Sequence, residues 1–155
     1  MNNSLIVNNI VFPFEFIEEK NLWYLGYNEF DVLSLGHSID ITFNGDSNWD
    51  EVRKFLFYLT SNIASQKAKV EVANMKLKVF FYEVFKKSSA DFKFEDVYFT
   101  LSNIQYIGLS KDLSVAEFEY TYSFNVESIS DPNFFTYDSW NVLFRNESII
   151  DVYKS

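Results

Sequence analysis

The chain has 155 residues, a formal net charge of -9 and an aromatic content of 20%. This length predicts a single domain, residues 1–155, that can bury a substantial core. The acidity disfavours nucleic acids and anionic membranes as partners, because like charges repel. The chain contains no Cys, so disulfides and zinc–thiolate sites are excluded.

Strands are predicted in the N-terminal part of the chain, over Leu5–Phe12, Trp23–Tyr27 and Ser38–Asn44. In the last of these, apolar and polar residues alternate, which is typical of a strand with one buried face. The first apolar run is interrupted at residues 8 and 9 by two Asn residues and lacks the basic start of a secretory signal. We therefore expect a cytoplasmic protein.

One amphipathic helix is predicted over about 48–64, that is, Asn48–Ile63. Asn48 or Ser47 can cap its first turn, and Glu51 completes a capping box. Apolar residues recur at helical spacing along one face. They are Trp49, Val52, Leu56, Leu59 and Ile63.

The segment Ala68–Phe85 fits two patterns. Its apolar residues alternate with Lys69, Glu71, Lys76 and Lys78, which favours one or two strands. A second set of residues fits one face of a helix. This set is Ala68, Val72, Met75, Val79 and Tyr82. Because Val is β-branched and the lysines alternate, we predict strands here, with their lysines on a solvated face.

The C-terminal part predicts two hairpins. Val97–Ile107 pairs with Val115–Glu127, and Trp140–Phe144 pairs with Ile149–Val152. The alternation in Val97–Ile107 slips at residues 102–103, which indicates a β-bulge. A turn is predicted at 131–133, between the hairpins.

The strand Val115–Glu127 alternates with period 2 along its whole length, so one of its faces is buried and the other is wet. We expect Phe118, Tyr120, Tyr122 and Phe124 in the core, with Trp49, Leu56 and Leu59 of the helix packed on that face. The predicted class is α+β, a mostly antiparallel curved β-sheet with one helix on one face.

Catalytic chemistry finds little support in the chain. His37 is the only His and lies between two predicted strands, so we interpret it as a turn residue. No GxGxxG or Walker A motif is present, and no EF-hand loop occurs. We therefore predict no cofactor, no metal ion and no enzymatic activity.

The acidic residues lie in two groups set among Tyr, Trp and Phe. The N-terminal group is Glu15, Glu18, Glu19, Glu29 and Asp31, and the C-terminal group is Glu117, Glu119, Glu127 and Asp131. In this overall profile the chain resembles bacterial immunity proteins, including those of contact-dependent inhibition and other polymorphic toxin systems. The resemblance implies a protein partner, a toxin domain that is often basic.

On this interpretation the nine acidic residues form the partner-binding surface, and electrostatic attraction speeds the capture of the toxin. Two alternatives remain open. A structural subunit, for example of a phage tail-like particle, would use its strands for edge-to-edge assembly. The other alternative is an enzyme that uses its carboxylates for catalysis. The acidic N-terminal and C-terminal segments can also balance the positive charge of the middle segment, residues 51–93, within the molecule.

Overall fold

The structure is a computed structural model that describes residues 2–26, 31–85, 94–110, 117–129, 131 and 138–155. One open sheet of eight strands holds its strands side by side in chain order. Within the described residues, two α-helices and a short 3-10 helix (Phe94–Asp96) lie between the fourth and fifth strands in sequence. The strands are β1 (Asn2–Val7), β2 (Ile10–Ile17), β3 (Leu22–Leu25), β4 (Asp40–Asn44), β5 (Val97–Ser110), β6 (Glu117–Ser128), β7 (Trp140–Arg145) and β8 (Ser148–Lys154).

Neighbouring strands are antiparallel except for β4 and β5, which are parallel. A parallel pair needs a long crossover connection, and the two helices, α1 (Trp49–Ser61) and α2 (Ile63–Phe85), supply it. The predicted α+β class is confirmed. The prediction of one helix is wrong, because the described chain contains a second and longer one.

The first predicted strand, Leu5–Phe12, is instead a hairpin of β1 and β2. Its turn is Asn8–Asn9, where both residues have positive φ angles of 48° and 61°. Two-residue hairpin turns of this kind require positive φ at both positions, which Asn tolerates better than most residues. The predicted strand Trp23–Tyr27 corresponds to β3, which covers residues 22–25. The predicted strand Ser38–Asn44 corresponds to β4, which begins at Asp40. Tyr27 lies outside the described residues.

Helix α1 confirms the predicted helix and its cap. The side chain of Asn48 accepts hydrogen bonds from the backbone N–H groups of Asp50 and Glu51, at 2.9 and 3.3 Å. Glu51 accepts a bond from the hydroxyl of Tyr106 on β5 at 3.1 Å, so this carboxylate ties the first turn to the sheet rather than closing the predicted capping box. The face of α1 that packs on the sheet buries Val52, Phe55, Leu56 and Leu59.

Helix α2 overturns the prediction of strands over Ala68–Phe85. It spans 23 residues and buries Gln66, Lys69, Ala73, Leu77 and Phe81. Both faces of this helix carry apolar side chains, and the lysines between them mimic the period of a strand. The apolar set that fits a helix in the sequence is the exposed face of α2, not the buried one.

In the C-terminal half, the predicted strand order and hairpins are confirmed over the described residues. The register of β5 against β6 shifts between Leu101 and Asn103, as the predicted bulge requires, and again between Tyr106 and Gly108. β7 and β8 pair across the turn at residues 146–147. The predicted turn at 132–133 and the start of the predicted strand at 115–116 lie outside the described residues.

The core lies between the helices and the sheet face that they cover, here called the inner face. Tyr120, Tyr122 and Phe124 of β6 are buried on it, as predicted, whereas Phe118 is only partly buried. Trp49 packs on the same face but against the N-terminal strands, with its ring centroid 4.8 Å from that of Trp23 and 5.0 Å from that of Phe43.

Candidate functional site: the outer face of the sheet and a pocket beside α1

The outer face of the sheet, opposite to the helices, is acidic. Alternation and register place six carboxylates at the described strand positions of this face. They are Glu15, Asp40, Glu117, Glu119, Glu127 and Asp151. At the same set of positions the only cation is Arg145. The outer face therefore carries an excess of negative charge. The helices do not cover it, because they pack on the inner face.

Two of the predicted partner-binding residues are tied to Arg145. Glu119 lies directly opposite Arg145 in the pairing of β6 with β7. Its carboxylate accepts bonds from Nε and Nη2 of that guanidinium at 3.2 and 2.9 Å. Glu117 Oε2 lies 4.0 Å from Nε of the same group. Both carboxylates are therefore partly neutralised and only partly exposed.

The other predicted residues on this face are more accessible. Glu127 is exposed near the end of β6 and accepts a bond from Thr100 on β5. Glu15 is exposed on β2, and Glu18 and Glu19 are exposed in the short 3-10 helix that follows it. β2 and β6 are four strand positions apart, about 19 Å at the usual strand spacing. The two predicted acidic groups therefore spread along the face rather than forming one cluster.

Asp31 and Asp131 lie outside the described strands. The carboxylate of Asp31 accepts bonds from the backbone N–H groups of Leu35 and Gly36, at 2.7 and 2.6 Å, and holds the loop before β4. Gly36 has a φ angle of 90° there, a conformation that glycine adopts readily. Asp131 is exposed. Glu29 lies outside the described residues.

Polar side chains fill the middle of the outer face. Ser123 donates a bond to Asn141 at 2.7 Å, and Asn103 donates one to Thr42 at 3.2 Å. Burial raises the pKa of Asp40 above its ordinary value, and a hydrogen bond with Tyr24 partly opposes this. The centre of the face is thus polar and ordered, with its accessible carboxylates towards the ends of the strands.

A pocket lies on the other side of the molecule, beside α1. Its volume is about 820 Å³, and residues of β1, α1, α2, β6 and the β7–β8 turn line it. The apolar part of its lining includes Ile6, Phe57 and Phe118, while Arg53 and Lys54 add positive charge. Pockets with apolar walls and a few polar groups are the usual form of small-molecule sites. This one suits an apolar group.

A buried polar network centred on Lys69 adjoins the pocket. Its ammonium group lies 2.6 Å from the hydroxyl of Tyr58, 2.8 Å from that of Tyr120 and 2.9 Å from Oε2 of Glu147. Tyr58 donates to the other oxygen of Glu147, and Tyr120 donates to the carbonyl of Asn146 at 2.7 Å. The network joins α1, α2, β6 and the β7–β8 turn.

The pKa shifts in this network follow from burial and from the ion pair. Burial lowers the pKa of Lys69, and Glu147 partly restores it. Burial also raises the pKa of Tyr58 to about 12, helped by its bond to Glu147. For Glu147 burial acts to raise the pKa, but bonds from Tyr58 and Lys69 outweigh it and hold that pKa below its ordinary value.

The hydrogen-bonding groups of this network are satisfied within the protein. The ammonium group of Lys69 and the hydroxyls of Tyr58 and Tyr120 all have partners within the protein. Tyr122 likewise donates to Gln66. Such satisfied networks rigidify a core and specify its packing. The sequence pattern missed this site, because it assigns Lys69 to the solvated face of a strand, whereas the structure buries Lys69 on a helix.

His37 Nε2 lies 2.8 Å from the carbonyl oxygen of Leu101, so its ring fastens the loop before β4 to β5. No three of the described His, Asp or Glu residues are grouped so that they could hold a metal ion.

Neither α1 nor α2, the two α-helices of the described chain, combines the length and the hydropathy that a membrane crossing requires. Comparison of the chain with family models, with curated proteins and with solved structures gives no match.

Proposed function

We propose that this protein is a non-catalytic binding module whose outer sheet face captures a basic protein domain. The observation that carries the proposal is the excess of carboxylates on that face, where Arg145 is the single cation at the described strand positions. An immunity protein that neutralises a basic toxin domain is the best-fitting example of such a module.

The placement of positive charge supports this proposal. Arg53, Lys54, Lys67 and Lys76 are exposed on the two helices, which pack on the inner face. The described cations of the two helices and the acidic outer face are therefore on opposite sides of the sheet, and the sheet separates most of their charges. A surface with one sign of charge steers an oppositely charged partner during encounter and raises its association rate.

The polar centre of the face suits a protein partner as well. Interfaces that form and dissociate are about as polar as the rest of a protein surface, and they contain hydrogen bonds and bridging water. The partly exposed amide of Asn103 and hydroxyl of Ser123 offer donors and acceptors between the carboxylates, whereas the buried amide of Asn141 holds Ser123 and Ser139 in place. Recognition would thus combine charge along the strands with hydrogen bonding at their middle.

The test begins with capture of partners from native cells on the immobilised protein, followed by stopped-flow association with the captured domain. The variant Glu15→Lys with Glu127→Lys reverses two exposed charges of the outer face and spares the pair of Glu119 with Arg145. We expect its association rate to fall about tenfold at low salt, because electrostatic steering depends on surface charge. The wild-type rate should fall as the ionic strength rises.

The matched control is Asp46→Lys together with Glu95→Lys. It makes the same change in net charge at two exposed residues outside the outer-face strand positions. An association rate that this control lowers equally would contradict the assignment of the face. Recovery of no basic domain, but of structural proteins of a particle, would favour an assembly subunit instead.

A further inference from the structure

Helix α2 presents a second apolar face to solvent. Val72, Met75, Val79 and Tyr82 are exposed, with Met75 at 69% and Val79 at 64%. With Ala68, which is also exposed, they follow one another at spacings of four, three, four and three residues. This is the a/d pattern of a coiled-coil seam, with Val72 and Val79 at a positions and Ala68, Met75 and Tyr82 at d positions.

This apolar seam is separate from the core-facing side of α2. The residues that α2 buries against the sheet, Ala73, Leu77 and Phe81, fall at the b, f and c positions of the same heptads. A helix that is apolar on two sides needs a second partner for the side that the protein leaves exposed.

The charges beside the seam show which partner fits. Glu71 and Lys78 occupy successive g positions, and Lys76 and Glu83 occupy the e positions that follow them. In a parallel coiled coil, each g residue lies near the next e residue of the other helix. A second copy of α2 in register therefore brings Glu71 to Lys76 and Lys78 to Glu83, in both directions across the seam.

The opposite orientation fits the same charges less well. In antiparallel pairs, g positions meet g positions and e positions meet e positions. The antiparallel register that pairs Val72 with Tyr82 and Met75 with Val79 brings Lys76 and Lys78 close to their own symmetry mates, and like charges at such positions are unfavourable. The register that pairs Val72 with Met75 and Ala68 with Val79 avoids this contact, but it leaves Tyr82 opposite polar Ser65 and so pairs less of the apolar seam. The β-branched valines at a positions also favour two-stranded parallel pairing.

We infer that α2 pairs with α2 of a second copy of this chain, in parallel and in register, to form a symmetric dimer. The seam lies on the side of α2 that faces away from the sheet, so the dimer leaves the acidic outer faces of both copies open.

Sedimentation velocity over a range of protein concentrations tests the dimer. We expect Met75→Glu to weaken self-association at least about tenfold, or 1.4 kcal/mol, with an unchanged far-UV circular dichroism spectrum because Met75 is exposed. Ile129→Glu is the matched control, since Ile129 is 75% exposed and lies outside α2. A wild-type protein that stays monomeric up to several hundred micromolar, or a Met75→Glu variant that still dimerises, would overturn the inference.

Two further variants test the charges and the orientation. Glu71→Lys alone should weaken the dimer, and Glu71→Lys with Lys76→Glu should restore it, because the swapped charges pair again. The chain lacks Cys, so Ala68→Cys supplies a single thiol that meets its symmetry mate only in the parallel register. A disulfide-linked dimer under mild oxidation is expected. Failure of the double swap to restore association, or absence of the cross-link, would rule out this arrangement.

Discussion

Lys69 and Glu147 form an ion pair of 2.9 Å that connects α2 to the turn between β7 and β8. The lysine side chain is 7% exposed and the glutamate side chain 58% exposed, so the pair joins a buried cation to a carboxylate in contact with water. Tyr58 and Tyr120 complete the coordination of the ammonium group. Because it links helical residues to the last hairpin, this pair bears on the stability of the whole fold.

Removal of the carboxylate should be costly. Glu147→Gln leaves Lys69 buried without its counter-charge, and we expect the free energy of unfolding to fall by about 2 kcal/mol, less than for a fully buried pair because Glu147 is half-exposed. Asp138→Asn is the control, since it breaks the pair of Asp138 with Lys154, whose lysine side chain is 37% exposed rather than buried, and we expect a loss of about 0.5 kcal/mol. Equal losses in urea melts would show that the burial of Lys69 has no energetic role.

The same pair predicts a dependence on pH. The folded-state pKa of Glu147 lies below its ordinary value of 4.5. Its stabilisation is therefore fully present above that value and is lost as the pH falls through the folded-state pKa. The difference in unfolding free energy between wild type and Glu147→Gln should be constant near neutral pH and shrink below about pH 4. A difference that persists undiminished in acid would contradict the lowered pKa.

The cap of α1 offers a local test. Asn48→Ala removes the acceptor for two backbone N–H groups, and we expect the protein to lose about 1 kcal/mol of stability. Asn48→Asp keeps an acceptor at this position and should cost much less. Urea melts of both variants distinguish the loss of the cap from a general effect of substitution, which would affect the two alike.

Two phenylalanines of β6 should differ in their contribution to stability. Phe124 is fully buried, and Phe124→Ala should cost about 3–5 kcal/mol through lost contacts and a cavity. Phe118 is partly buried and lines the pocket, so Phe118→Ala should cost about half as much. A loss for Phe118→Ala as large as that for Phe124→Ala would mean that the pocket is closed in solution.

Local patterns were sufficient where one face of an element is apolar and the other is polar. The alternation along β6 identifies both its strand and its wet face, because successive side chains of a strand point to opposite sides. Asn48 and the spacing of Val52, Leu56 and Leu59 identify α1, because capping and the helical period act within a few residues. The outward position of Glu117, Glu119 and Glu127 follows from the same rule.

Tertiary structure alone decided the identity of α2 and what surrounds it. Because α2 has apolar residues on two faces, its sequence lacks the single apolar stripe of an amphipathic helix. The lysines between these residues alternate with them, as polar residues do in a strand. Only the need to cross from β4 to the parallel β5, and the packing of Ala73, Leu77 and Phe81 on the sheet, selects the helix. The burial of Lys69, its partnership with Glu147 and the pocket beside α1 depend on residues that are distant in the chain, so no local pattern predicts them.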